Sequence, residues 1–314
     1  MAATVGKRAI DGFEALTLGA SADGGIEAAF VPGAGMVGCS LRHRGEELLG
    51  QRGGLSAYVA DRKTFAIPLL YPWANRLSEW RFTLAGREVA IDPRATPLRR
   101  DEHGLPMHGL LSAAAGWEVV RHEVAADMAV LEARFDFAAD ETLMAAFPFA
   151  HEIRIEAVLD GPKLTHATTV LATGDVPVPI SFGFHPYLRL EGVDRREWLV
   201  EIPVREQLQL GPAMLPTGER VPVVIEPGPL GTRTFDDAYV APPDGAAFAL
   251  EGGGRRIELA FEAGFPFAQV FAPPDDPVIA FEPMTAPANA LVEGAPPLVA
   301  PGESYRAVFT IAVR

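Results

Sequence analysis

Large apolar residues alternate with charged ones over short stretches from one end of the chain to the other. "VLEARFDF" (130–137), "HEIRIEAVL" (151–159) and "RRIELAFEA" (255–263) follow this period of two, and "FAQVFAP" (267–273) and "YRAVFTIAV" (305–313) are rich in aromatic and β-branched residues. Successive side chains of a strand point to opposite faces, so these stretches predict half-buried strands with one face on a core and one in water. Turn-forming clusters separate them: "LDGPK", "EGGGRR" and "APPDDP". No long stretch carries the period of a capped helix. The alanine-rich "SAAAGWEVVRHEVAADMAVLEA" (112–133) comes nearest, but Gly116 and the W-E-V-V alternation after it predict strand. The expected fold class is all-β, a large antiparallel β-sandwich. With neither a helical block nor a linker, residues 1–314 are expected to form a single domain.

Composition narrows the partners. The 314 residues include 31 Gly and 28 Pro, which suits a protein with many tight turns. A formal net charge of -14 argues against nucleic acid, which needs a basic face to displace its counterions. The mixed-sign "LRRDEH" (98–103) and "DRRE" (194–197) read as solvated loops. One cysteine, Cys39, cannot form an internal disulfide, the N-terminus lacks the apolar run of a signal peptide, and no apolar run reaches the ~20 residues of a bilayer span. A cytoplasmic protein that uses no membrane is expected.

Several familiar patterns fail on context. "GAGMVG" (33–38) matches G-x-G-x-x-G, but the β-like "CSLRHRGEELL" follows where a dinucleotide site needs a helix, so a glycine-rich turn between two strands is expected. "EGGGRR" lacks the Lys-Ser/Thr of a phosphate loop, and no G-x-S-x-G elbow exists. Asp101, His103 and His108 are not spaced like known zinc ligands. Neither a metal nor a cofactor is expected.

Polar groups set in apolar or turn-forming sequence remain: Asn75 and Arg76 in "YPWANRL", His108 in "LPMHGLL", His185 in "SFGFHPYLRL", Asp236 and Asp237 in "TFDDAYV", and Glu282 in "VIAFEPMTAPANAL". Singly, each has a structural explanation. Together with Trp73, Phe184, Tyr187 and Tyr239 they describe a sugar pocket, in which aromatic faces cover the C–H surfaces of a pyranose and charged or amide groups satisfy its hydroxyls.

The ordered set P-W-A-N-R, M-H-G, F-H-P-Y, D-x-x-Y and F-E-P-M-T resembles the aldose 1-epimerase (galactose mutarotase-like) family, and "AAFVPGAGMVGCSLRHRGEELL" (28–49) is similar to its first strands. The resemblance implies the family's β-sandwich and a cofactor-independent interconversion of α and β anomers of a hexose such as glucose or galactose. It implies His185 as general acid and Glu282 as general base, with Arg76 and His108 on sugar oxygens. It selects Asp236 over Asp237 for the substrate, while Asn75 and Tyr187 complete the expected sugar contacts. The expected partner is a small-molecule sugar, and the chain a monomer or homodimer. Two rival readings stay open: a glucose-6-phosphate 1-epimerase-like enzyme, which wants several arginines at the pocket, and a non-catalytic carbohydrate-binding protein on the same scaffold.

Overall fold

The computed structural model describes residues 2–20, 25–95, 98–242 and 245–314. All the strand pairs between its named strands are antiparallel. A nine-stranded sheet and an eight-stranded sheet dominate, and a five-stranded sheet, made of strands Ala3–Ile10, Phe13–Ala20, Ile26–Val31, Val37–His43 and Glu46–Glu47, joins them. The alternating stretches become strands Met128–Asp136, His151–Asp160, Arg255–Ala263 and Ser304–Val313 of the nine-stranded sheet. The alanine-rich segment forms two strands, Glu118–Ala125 and Met128–Asp136, as its alternation requires.

The two large sheets meet through aromatic side chains. Phe248 of the nine-stranded sheet stacks on Phe281 of the eight-stranded sheet at 5.1 Å, and Phe309 packs on Phe184 at 5.2 Å. Each such ring buries a large apolar area, which makes this layer the main source of hydrophobic stabilisation. Among the described residues α-helix is confined to two short segments, Gly54–Asp61 and Glu141–Ala146. Among the described residues no helix is long and apolar enough to cross a membrane.

"GAGMVG" is a strand-to-strand connection. A 3-10 turn, Pro32–Ala34, leads into Gly35 at φ 74° and then strand Val37–His43, so no helix end is offered to a pyrophosphate.

The eight-stranded sheet runs Pro216–Pro222, Glu206–Leu210, Phe235–Val240, Phe267–Ala272, Ile279–Met284, Gly183–Phe184 and Leu69–Leu70, with Tyr187–Leu188 also paired to Ile279–Met284. Its central strand Ile279–Met284 is buried throughout. Ile279 and Phe281 belong to the core between the sheets, while Ala280 and Met284 belong to separate small clusters on the opposite face. Glu282 lies between those two on that outer face. The period of two therefore places one carboxylate at the middle of the sheet, away from the main core.

Candidate active site

Directly opposed residues of antiparallel strands share a face. Glu282 opposes Gln269, Ala280 opposes both Phe271 and Tyr187, and Phe271 also opposes Asp236. These side chains thus converge on one side of the sheet. Asp237 opposes Val270 on the other side and accepts a hydrogen bond from Gln207 Nε2 at 3.0 Å. Strand parity, invisible in a short "DD" string, separates the two aspartates.

Connections at the sheet's end supply the rest. His185 sits between the short strands Gly183–Phe184 and Tyr187–Leu188, its amide donating to the Pro68 carbonyl at 3.3 Å. The hairpin of Arg99–Arg100 with Pro106–Met107 carries Asp101 and leads into His108. His108 N donates to the Asn75 carbonyl at 2.9 Å, and both residues hold positive φ, 61° and 54°. Strained backbone of this kind persists where its surroundings over-determine it.

The seven residues to which the resemblance assigns a catalytic or sugar-binding role line one cavity of about 220 Å³: Asn75, Arg76, His108, His185, Tyr187, Asp236 and Glu282. His185 Nε2 lies 3.2 Å from Glu282 Oε1, with both side chains buried. The imidazole is stacked on the Tyr187 ring at 4.1 Å and meets His108 edge-on at 5.9 Å. Three buried atoms, His185 Nδ1, His108 Nδ1 and Glu282 Oε2, have no hydrogen-bond partner from the protein. Buried polar atoms are nearly always satisfied, so these mark where a polar ligand belongs.

Burial raises the Glu282 carboxyl well above its ordinary range, reinforced by Asp236 and opposed by Arg76. Burial lowers His185 well below 6.5, and the cationic Arg52 and Arg99 push the same way. His108 is lowered by burial and then by its cationic neighbours. The Asp236 carboxyl is raised by burial and held by a hydrogen bond from Gln269 Nε2 at 2.7 Å.

Three features differ from the sequence expectation. "LRRDEH" is solvated only in part: Arg100, Glu102 and His103 are exposed, but Arg99 lines the cavity, and the fully buried Asp101 side chain receives Arg76 Nε at 2.9 Å. Asp101 also accepts the backbone amides of His103 and Leu105, which commits it to holding the hairpin and the arginine. The aromatic wall differs too. Trp73, Phe184 and Tyr239 are core residues, and Phe271 joins Tyr187 at the cavity. Finally, Arg52, Thr64 and Arg99 line the cavity without having been anticipated. Only the doubled arginine of a mixed-charge loop hinted at Arg99, and nothing local marked Arg52 or Thr64.

The sequence model of the aldose 1-epimerase family matches residues 22–312. No curated protein matches the chain. Among solved structures, a galactose mutarotase-like protein from Clostridium acetobutylicum is 17% identical with a TM-score of 0.84, covering 100% of this chain and 99% of its own. Galactose 1-epimerase from Lactobacillus acidophilus NCFM is 14% identical with a TM-score of 0.77, covering 99% and 98%. The Slr1438 protein from Synechocystis sp. PCC 6803 is 23% identical with a TM-score of 0.70, covering 92% and 91%. At these identities the likeness is one of fold.

Proposed function

We propose that this chain, which belongs to the aldose 1-epimerase family, catalyses anomer exchange of an aldose, with Glu282 as the base and His185 as the acid. The observation that carries the reading is the 3.2 Å contact between a buried imidazole and a buried carboxylate that share one cavity. Exchange requires the C1 hydroxyl to lose a proton while the ring oxygen gains one. The C1–O5 bond then breaks to an aldehyde, rotation about C1–C2 presents the other carbonyl face, and closure reverses the proton transfers.

The directions of the two shifts support this chemistry. Before opening, the pair is carboxylate plus imidazolium; after opening, it is carboxylic acid plus neutral imidazole. Both states carry one proton. Burial favours the second, because it disfavours the charged form of each group. The site therefore pulls the proton transfer in the direction of ring opening. Arg76, fixed by Asp101, and His108 supply donors for the sugar oxygens on which charge develops. Asp236, held by Gln269, accepts from sugar hydroxyls, and the Tyr187 and Phe271 rings cover the apolar face.

Polarimetry of freshly dissolved α-anomers of glucose and galactose tests the reading with the single substitution Glu282→Gln. General acid–base groups contribute about 10²–10⁴-fold, so the variant is expected to lose that much acceleration while keeping its circular dichroism spectrum. A carbohydrate-binding protein would bind sugar and show no exchange in either form. A wild type that accelerates no aldose sinks the epimerase reading.

A further inference from the structure

His185 is a buried group that no side-chain hydrogen bond orients from behind. Its Nε2 meets Glu282, its Nδ1 has no hydrogen-bond partner among the described residues, and the two rings edge-on to it, His108 and Phe271, are 5.9 and 5.6 Å away. An acid–base group is ordinarily aimed by a third side chain bonded to the atom that does not react. What lies flat against this imidazole instead is the Tyr187 ring, at 4.1 Å and 17°. The placement of that ring therefore sets the placement of the imidazole.

Tyr187 is held at both ends. Its amide donates to the Ala66 carbonyl at 2.9 Å, and its carbonyl accepts from Gly50 N at 3.0 Å. A Cβ on Gly50 would stand 3.1 Å from Tyr187 Cβ and 2.5 Å from Val278 Cγ1, so the chain passes this close only as glycine. Two residues on, Arg52 adopts φ 41°, a conformation that is costly for a residue with a Cβ. Its guanidinium reaches the far end of Tyr187, with Nη1 donating to the hydroxyl at 3.0 Å and the group lying 5.1 Å from the ring centre. Thr64 Oγ1 bonds the same hydroxyl. The other side of the fork is also occupied. Arg52 Nε lies 3.1 Å from Asp276, in the "APPDDP" turn that leads into the strand Ile279–Met284 bearing Glu282. A planar guanidinium with one nitrogen on a carboxylate and another on a phenol is fixed in orientation. The contacts thus run Asp276–Arg52–Tyr187–His185, from the segment of one reacting group to the segment of the other.

We propose that Arg52 is a positioning residue for anomer exchange: it fixes the Tyr187 ring, and through it the angle at which the His185 imidazole faces Glu282 and the sugar's ring oxygen. The inference rests on the epimerase reading for its effect on rate, whereas the ring placement it describes is measurable without a substrate.

Arg52→Gln, Tyr187→Phe and the double variant are compared with wild type in two measurements. One is anomer exchange of glucose and galactose; the other is NMR of histidine-labelled protein, with the His185 resonances assigned by their loss in His185→Gln. Misplacing a reacting group by about 1 Å costs about 10²-fold, so each single variant is expected to lower kcat by about 10- to 100-fold with KM nearly unchanged. Both substitutions break the same link, so the double variant should be no more than about threefold slower than the slower single one. The Tyr187 ring current should displace the His185 ring protons in wild type, and that displacement should shrink in both single variants. Losses that multiply in the double variant overturn the inference. A raised KM at unchanged kcat in Arg52→Gln also overturns it, because Arg52 would then be a direct sugar contact. A wild type that exchanges no aldose removes the epimerase reading, and the NMR comparison then decides the ring placement alone. Displacement lost in Arg52→Gln and in Tyr187→Phe sustains Arg52 as the group that fixes the imidazole, and displacement unchanged in both overturns it.

Discussion

Glu282 and His185 are pushed in opposite directions by one cause, the removal of water, and that fixes how the site responds to pH. On the proposed mechanism, protonation of the second member of the pair is expected to end activity on the acid side, and loss of the shared proton to end it on the alkaline side. With His185 lowered well below 6.5 and Glu282 raised well above 4.5, the plateau extends to the acid side of a free imidazole and to the alkaline side of a free carboxylate. The expected kcat/KM profile is a broad bell whose acid limb lies below pH 6.5. An acid limb centred at or above 6.5 in the rate profile would contradict the burial argument. These residues were legible in the sequence because each stands beside a marker of restricted backbone: His185 and Glu282 both precede a proline, and His108 precedes a glycine. Gln269 was not legible. It gains its importance from lying opposite Glu282 across the strand pair and from donating to Asp236, and register of that kind is set by the whole sheet.

The element that assembles the site is the hairpin ending in His108, docked on the segment bearing Asn75 and Arg76. Gly109 is what lets the two approach. It sits at φ 74°, and a Cβ there would lie 2.1 Å from the Tyr71 carbonyl oxygen, which accepts the Leu110 amide at 2.6 Å. Gly104 in the same hairpin has φ 78° with nothing within 4 Å of a Cβ, so it carries the backbone cost of alanine without the clash. Gly104→Ala is expected to cost about 1 kcal/mol and Gly109→Ala a further 1–3 kcal/mol or so, with loss of anomer exchange in the second alone. Urea unfolding midpoints and polarimetry on the pair check this, and equal costs would show that the close approach is unimportant. Alternation was enough to predict the long strands, because each has one face on a core. It was silent about this hairpin, whose strands are two residues each and whose charged run "LRRDEH" turns Arg99 and Asp101 inward, Asp101 onto Arg76, while Arg100, Glu102 and His103 stay exposed. A buried ion pair joins residues distant in sequence, and hydropathy scores both partners as surface.

Across the whole molecule, the layer between the two large sheets contains histidine as well as hydrocarbon. His166 is buried against Phe309 at 5.0 Å and Phe184 at 4.6 Å, and its Nδ1 has no partner from the protein. His151 is also buried, but it is bonded to the Tyr71 hydroxyl at 2.7 Å and the Phe149 carbonyl at 2.6 Å. Burial lowers His166 from 6.5 to about 3 and His151 from 6.5 to about 4. Both folded values lie below the unfolded one, so the unfolded chain takes up more protons as pH falls. The stability these residues carry is complete above pH 6.5 and is lost progressively toward the folded values. One pH unit is worth about 1.4 kcal/mol per group, which amounts to about 2 kcal/mol for each between pH 7 and 5. His166→Phe replaces the titrating ring by one that suits its aromatic neighbours. Its unfolding free energy in urea is therefore expected to fall by about 2 kcal/mol less than that of wild type between those two pH values. Identical losses in the two proteins would mean that folded His166 takes up a proton as readily as it does in the unfolded chain, which would contradict the burial argument and leave acid sensitivity to other groups such as His151.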